Sequence, residues 1–570
     1  MHVARIVRRY GGKTYLTTLL RTSFRQDGKV KHRTLANLSH LPERLVEVIR
    51  RSLKGEAFTA AQEVVRTQQT TPHGHVQVVL GVMRKLGVDT LVAAVPSRQR
   101  SLVLALIAER LLFPCSKLAV TRHWHSTTLA EELGVADAKE NELYQAMDWL
   151  LTRQSAIEDK LAQRHLRENG LVLYDVSSSF YYGRHCPLAH YGHSRDGKKG
   201  LPIVVYGLLT DAAGRPVAVD VYAGNTSDPK TVPDQVQKLR GRFGLKRIVL
   251  VGDRGMLTQT QIDGLRAEPG LGWIGALRSA SICKLLRDGP LQRSLFDTVN
   301  LAEIRSPDFP GERLFACYNP QLAERRRRKR EALLVKTEEA LQRLARAAAR
   351  RRKHPWPREE IGLKAGRLLN RWKMAKHFRL TIRDGGLAWE RRVEAIAAEQ
   401  ALDGIYVIRT SEPARRMSAE QGVRNYKRLT QVERAFRTWK GMDLMVRPIF
   451  HRVEPRVKAH IFLCLLAYYV EWEMRRAWAP LLFADEEVEE DREQRDPVAP
   501  AEPSESAKAK RKTKRTADGH PAHSFRTLLA ELGRRCRVTY RVGAEGTSAT
   551  FQQVPEPTPL QAEALRLLGL

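Results

Sequence analysis

Between residues 171 and 279 the chain falls into five short β-branched runs, and this rhythm restricts its fold more than any other feature. The runs are LVLYDVSSSF (171–180), LPIVVYGLLTD (201–211), RPVAVDVYAGNTSD (215–228), KRIVLVGDRG (246–255) and LGWIGALRS (271–279). Val, Ile and Tyr suit a pleated, half-buried surface, and Gly, Asp and Asn end such runs. The first three follow one another closely. Helical stretches, VPDQVQKLRGRFG and LTQTQIDGLRAE, precede and follow the fourth. Three tightly joined strands, then helix, strand and helix, predict a mixed α/β sheet flanked by helices.

Two runs carry an aspartate toward their carboxyl ends, Asp175 and Asp253. Open α/β sheets bind ligands at that end of their strands. Two acids on neighbouring strands repel unless a cation lies between them, and hard divalent cations such as Mg²⁺ take just such oxygen ligands. A third acid comes from YKRLTQVERAFRTWK (426–440). Leu429, Val432, Phe436 and Trp439 recur at spacings of three and four and predict the stripe that faces the sheet. Tyr426, Glu433, Arg437 and Lys440 form a second stripe, rotated by about 100° on a single helix expected over 423–443. Taken singly, an Asp at a strand end is an ordinary turn residue, and Tyr, Glu and Lys on one helix face are an ordinary solvated surface.

The full chain has 570 residues, with 97 Lys plus Arg against 63 Asp plus Glu, a formal charge of +34. Such a balance points to a polyanion, nucleic acid first. The longest apolar runs, LVLALIAERLLF and IFLCLLAYYV, fall short of the roughly 20 residues that cross a bilayer, so no membrane partner is expected. Six scattered cysteines form no CxxC pair, and the N-terminus lacks an export pattern; a cytoplasmic protein is expected. His185, Cys186, His190 and His193 match no common zinc spacing, and Ser177, Ser178 and Ser179 have no identifiable base.

Seven segments are expected: a small basic β-rich domain (1–95), a helical region (96–168), the first part of the mixed-sheet core (169–277), an insertion with a basic helix (278–410), the second part of the core with the glutamate helix (411–480), a charged disordered linker (481–523) and a small tail (524–570). The run from Arg325 to Arg330, with Arg326, Arg327 and Arg328 at its centre, is read as a clamp on a DNA backbone.

Taken together, Asp175, Asp253 and the Tyr426/Glu433/Lys440 stripe resemble the DDE transposases of bacterial insertion sequences, in particular family four, marked by Y-x2-R-x3-E-x6-K. GNTSD (224–228), VGDRGM (251–256), DGIYVIRT (403–410) and RPIFHRVEPRVKAHI (447–461) resemble that family too. The family's arginine falls at position 429, which is Leu here; Arg428 or Arg437 is the expected replacement cation.

The resemblance implies a ribonuclease H-like core, the catalytic domain, interrupted by an insertion, a DNA-binding helical region (96–168), and Mg²⁺, with Mn²⁺ as a substitute, on Asp175, Asp253 and Glu433. It implies cleavage at the terminal inverted repeats of a mobile element and joining to target DNA, with Tyr426 and Lys440 on phosphates, by a homodimer at the bacterial nucleoid. Two other classes are weighed: a DNA-binding regulator that does not cut, and a ribonuclease H-like nuclease that cuts without strand transfer. Three intact acids aimed at phosphate argue against the pure binder.

Overall fold

The computed structural model describes residues 1–56, 58, 65–543 and 549–570, and these gather into two compact units. One unit comprises residues 1–71 and 536–556. Its meander, β1 (His2–Tyr10), β2 (Lys13–Gln26) and β3 (Lys29–Asn37), has the antiparallel order expected from sequence. Both connections are two-residue turns with positive φ throughout, 57° and 75° at Gly11 and Gly12, 55° and 72° at Asp27 and Gly28. That geometry matches the twist of a tight hairpin. A second sheet sets β4 (Val65–Pro72) beside strands Cys536–Val542 and Ala549–Gln553, so the tail strand RVTYRV belongs with the N-terminal region.

The other unit comprises residues 72–535 and 557–570. Its strands are β5 (Gly170–Phe180), β6 (Ile203–Asp211), β7 (Pro216–Ala223), β8 (Ile248–Val251), β9 (Leu271–Ala276), β10 (Leu301–Ile304), β11 (Arg313–Tyr318), β12 (Phe378–Arg383), β13 (Gly386–Arg391) and β14 (Ile405–Thr410). All but the β12–β13 hairpin join one sheet in the order β10-β11-β14-β9-β8-β5-β6-β7. β5 runs parallel to β8 and β8 to β9, whereas β6, β7 and β14 pair antiparallel with their neighbours. The five runs read from sequence are therefore five adjacent strands of a mixed sheet.

The region expected as an insertion is not wholly separate from that sheet. β14 pairs on β9, and β11 and β10 extend the edge beyond it. Only the middle stands apart: helices Pro320–Ala349 and Arg358–Trp372 with the hairpin close a small core around Leu334, Leu341, Ala365 and Phe378.

In this unit helices begin at Gly74–Lys85, some twenty residues before the expected boundary, and the other unit holds a helix of its own, Glu43–Ser52. The helices Arg98–Leu112 and Glu140–Leu151 pack on Glu454–Ala477, whose central residues 459–470 are buried on every side. IFLCLLAYYV is thus the interior of a helical layer. Among the described residues no helix is long and apolar enough to cross a membrane.

The stretch read as a disordered linker contains helices Val488–Gln494 and Glu505–Thr513. Its polar composition hides how it is held. Val498 is buried, the Val498 carbonyl accepts from Asn319 Nδ2 at 3.1 Å and Lys427 Nζ at 3.2 Å, and Ser504 Oγ donates to Asp485 at 2.7 Å. Anchored carbonyls and a few buried side chains, Leu481, Leu482 and Val498 of the main core among them, hold this segment.

Candidate active site

The β5–β8 register ends with Leu173 paired to Val251. Asp175 follows two residues later within β5, and Asp253 two residues later just past the end of β8, near enough for the charge of Asp253 to act on Asp175. Asp175 Oδ1 accepts from the Val176 N–H at 2.8 Å. Asp253 Oδ1 accepts from the N–H groups of Gly255 and Met256 at 2.7 and 2.9 Å, which closes the turn after β8. Among the described residues Oδ2 of neither acid takes a hydrogen bond. Burial, and then the charges of Asp253 and Glu433, push the Asp175 carboxyl up to about 7, against the pull of the Val176 N–H and of Arg195.

The helix over 423–443 is interrupted. One helix, Ala419–Lys427, ends at Arg428 and a second, Leu429–Lys440, starts there. Thr430 Oγ1 donates back to the Lys427 carbonyl at 2.8 Å, and the Gln431 N–H bonds to the Arg428 carbonyl three residues back. These bonds tighten the chain into a step, and Tyr426 therefore belongs to the helix before the glutamate's. The apolar stripe is buried as expected: Leu429, Val432, Ala435, Phe436 and Trp439. Phe436 and Trp439 lie against Tyr206 of β6 with ring centroids 5.8 and 5.9 Å away. Tyr206 is the register partner of Ser177, which shares a face with Asp175. The packing thus lays the glutamate helix on Asp175's face of the sheet.

Glu433 is 54% exposed and pairs with Arg437 at 3.3 Å. Tyr426 feels both aspartates and Glu433; burial first, then Asp253, raises its phenol to about 12. The structure therefore gathers Asp175, Asp253, Glu433 and Tyr426 within electrostatic reach. It does not close them: among the described residues no three His, Cys, Asp or Glu side chains form a group that could hold a metal ion. The pairs formed by His185, Cys186, His190 and His193 make no such group either.

The expected DNA-contact residues are mostly occupied. Lys440 Nζ bonds Asp196 at 2.9 Å, and Arg447 reaches the same carboxylate at 2.6 Å. Asp196 is only 2% exposed and also accepts from the Phe180 N–H. Lys440 thus ties the end of the glutamate helix to a buried carboxylate. Arg428 pairs with Glu489 at 3.3 Å and donates to the Ala212 carbonyl. Arg327 and Arg328 both turn to Glu324, Arg326 donates to the Leu402 carbonyl, and Arg330 is buried on Asp403. The run at 325–330 is split by helical periodicity between an exposed side and a buried anchor.

Three residues near the acids escaped the sequence reading. Asp196 neutralises Lys440 and Arg447, and Arg195 draws on Asp175 while pairing with Asp228. Asp228 closes the GNTSD stretch, a signal already visible. Asp196 sits in a polar loop, HSRDG, whose only mark is its position just before β6.

The donor set suits a divalent cation. Among the described residues two hard oxygens, one from each aspartate, are left without a protein donor, and burial, against the pull of Arg195, pushes the Asp175 carboxyl up to about 7. Glu433 is tied only by an exposed i,i+4 pair, worth about 0.3–0.5 kcal/mol.

The sequence pattern of the family described as "Transposase DDE domain" matches residues 177–470, more than half of the chain. The match includes Asp253 and Glu433 and begins two residues after Asp175. The family described as "IS1634 family transposase, N-terminal domain" matches residues 3–69, and is a different insertion-sequence family from family four. No curated protein matches the chain. A chain of the "Cryo-EM structure of piggyBac transposase synaptic complex with hairpin DNA" is 9% identical, aligned over 81% of this chain and 76% of that one at a TM-score of 0.33. A likeness that distant carries no argument.

Proposed function

The chain belongs to the DDE transposases, and from that premise we propose that Asp175, Asp253 and Glu433 are the carboxylates through which it cuts the ends of a mobile DNA element and joins them to target DNA. The observation that carries this reading is that Asp175 on β5 and Asp253, just past the end of the parallel neighbour β8, lie within electrostatic reach of each other and of Glu433, with the glutamate helix seated on Asp175's face of the sheet. The partial order β7-β6-β5-β8-β9, with β6 antiparallel and β8 and β9 parallel, supports a ribonuclease H-like core. The spacing of Tyr426, Glu433 and Lys440 supports the family-four signature, with Arg428 or Arg437 in place of the missing arginine.

Family membership brings a divalent metal, and Mg²⁺ is the proposed ion on the three carboxylates. When bound, it supplies charge for the phosphate oxygens and lowers the pKa of an attacking water. The residues do the rest. Asp175 on β5 and Asp253 in the turn after β8 would hold the ion with one oxygen each, and Glu433, paired with Arg437, would supply the third carboxylate. Tyr426, a neutral phenol at physiological pH, offers a donor to a phosphate oxygen beside them. Water attacks phosphorus, the bond to the 3′ oxygen breaks and a free 3′-OH is left. That hydroxyl then attacks a target phosphodiester, forming one P–O bond as another breaks. Double-stranded DNA is the proposed partner, including terminal inverted repeats held by a homodimer at the nucleoid. The N-terminal unit and the helices before β5 are the proposed readers of sequence.

The test is a Mg²⁺-dependent cleavage and strand-transfer assay on duplexes from the gene's flanking DNA, comparing wild type with Glu433→Gln and checking binding in both. Loss of both reactions with binding retained supports the reading. Binding by wild type without cleavage in Mg²⁺ or Mn²⁺ points to the non-cutting regulator, and cleavage that survives the substitution removes Glu433 from the set.

A further inference from the structure

Beneath the loop that follows the glutamate helix lies a pocket of about 320 Å³ whose lining includes Arg110, Lys117, Tyr144, Arg447, His451 and His460, and no acid. Among the described residues two of its three cations, Arg110 and Lys117, have no ion-pair partner. Lys117 is 3% exposed, and among the described residues its Nζ has neither a hydrogen bond nor an ion pair. Arg110, equally buried, spends its guanidinium on the carbonyls of Leu444 and Cys115, both at 3.4 Å. Arg447 shares Asp196 with Lys440.

The neighbouring acid does not fill the gap. Glu109 is buried with Oε1 unpaired, and burial pushes its carboxyl up to about 7. The same burial, with Arg110 nearby, brings the Lys117 ammonium down to about 7, and holds His451 down to about 3, an uncharged ring at neutral pH. Burying an unpaired ammonium costs several kcal/mol unless an anion joins it. At the rim, Phe450 and Met445 are 62% and 42% exposed, which leaves the pocket reachable from solvent.

We propose that this pocket binds a phosphate group, from the backbone of bound nucleic acid or from free phosphate, with Lys117 as its principal cation and Arg110 and Arg447 beside it. Two guanidinium groups and an ammonium offer several directed donors, which suit a tetrahedral oxyanion better than a halide. The site is separate from the carboxylates and stands whether or not the chain cuts DNA.

Calorimetric titration of the full chain with inorganic phosphate, at matched ionic strength in chloride, tests it. Wild type should show one saturable site, Lys117→Met a loss of about tenfold or more in affinity, the order of one charge-assisted hydrogen bond, and Lys117→Arg substantial recovery. Arg447→Gln, at the less buried side, should weaken binding independently if Lys117→Met fails to fold. Absence of saturable binding in wild type, or equal affinity in wild type and both weakened variants, overturns the proposal. Repeating the titration with duplex DNA present separates the sources: displacement of phosphate assigns the pocket to the DNA backbone, and undiminished binding assigns it to the free ion.

Discussion

Asp175 on β5 and Asp253, just past the end of the parallel neighbour β8, each follow by two residues the register pair Leu173 and Val251. The relationship joins a fold-level fact to a chemical one. A strand and the turn that ends its neighbour hold two carboxylates close enough for the charge of Asp253 to push the Asp175 carboxyl up.

The first prediction follows from Asp175. Its folded pKa, near 7, lies above the ordinary value of 3.8, so between about pH 4 and 7 the folded chain holds a proton that the unfolded chain has released. Stability from this group is full below that window, falls as pH rises through it and stays lost above about 7. Thermal melts in EDTA across this range should show a shallower decline for Asp175→Asn than for wild type, which also removes the background from Glu109 and Glu471, two other acids raised to about 7. Added Mg²⁺ should stabilise wild type more at pH 8 than at pH 5.5, and the variant little at either. An unchanged decline in the variant would mean that Asp175 ionises normally.

Asp196 gives the second. It is the shared partner of Lys440 and Arg447 and is itself buried. Removing one member of a buried pair leaves the other charges uncompensated, a loss of about 3–5 kcal/mol; with Lys440 and Arg447 partly solvated the lower end is expected. Urea denaturation of Asp196→Asn should show that loss. A change below about 0.5 kcal/mol, the range of ordinary surface substitutions, would show that Lys440 is free to serve as a phosphate contact.

Leu429 supplies a third, because the signature of family four asks for arginine there. The side chain is 8% exposed within the stripe that meets the sheet. Leu429→Arg should therefore lower stability by about 2–4 kcal/mol by burying an unpaired charge, and should not raise cleavage. Faster cleavage with unchanged melting would place the side chain at the DNA and reverse this reading.

The strands were legible because β-branched runs bounded by Gly and Asp have few other uses, and the glutamate's stripe because Val432, Phe436 and Trp439 repeat with helical period. Four features were not legible. The step at Arg428 arises from a threonine hydroxyl and a shortened turn, which leave the apolar period intact. The joining of β14 to β9 spans about 130 residues, and no local pattern encodes such a pairing. The order in 481–523 rests on a few anchored carbonyls and a handful of buried apolar side chains, Leu481, Leu482, Val498 and Ala507 among them, too sparse for the overall composition to register. The occupation of Lys440 by Asp196 was hidden for a similar reason: the two are 244 positions apart in sequence.

The ordered segment after the core leads to the last prediction. Glu489, on the helix Val488–Gln494, pairs with Arg428 at 3.3 Å and Arg492 at 2.6 Å. If Arg428 replaces the family's arginine on DNA, Glu489 competes with phosphate for it. The pair is largely exposed on the Glu489 side and worth no more than about 1 kcal/mol, so Glu489→Gln should leave folding nearly unchanged. Its effect belongs in binding: affinity for duplex DNA should rise about two- to fivefold at low salt, which corresponds to less than 1 kcal/mol. The gain should shrink as salt approaches about 0.2 M, where counterion release favours DNA less. Fluorescence anisotropy with wild type, Glu489→Gln, Arg428→Gln and the double variant reads this directly. The gain should vanish in the Arg428→Gln background; a gain that persists there would assign the repulsion to Glu489 and the DNA itself and leave Arg428 without a role in binding.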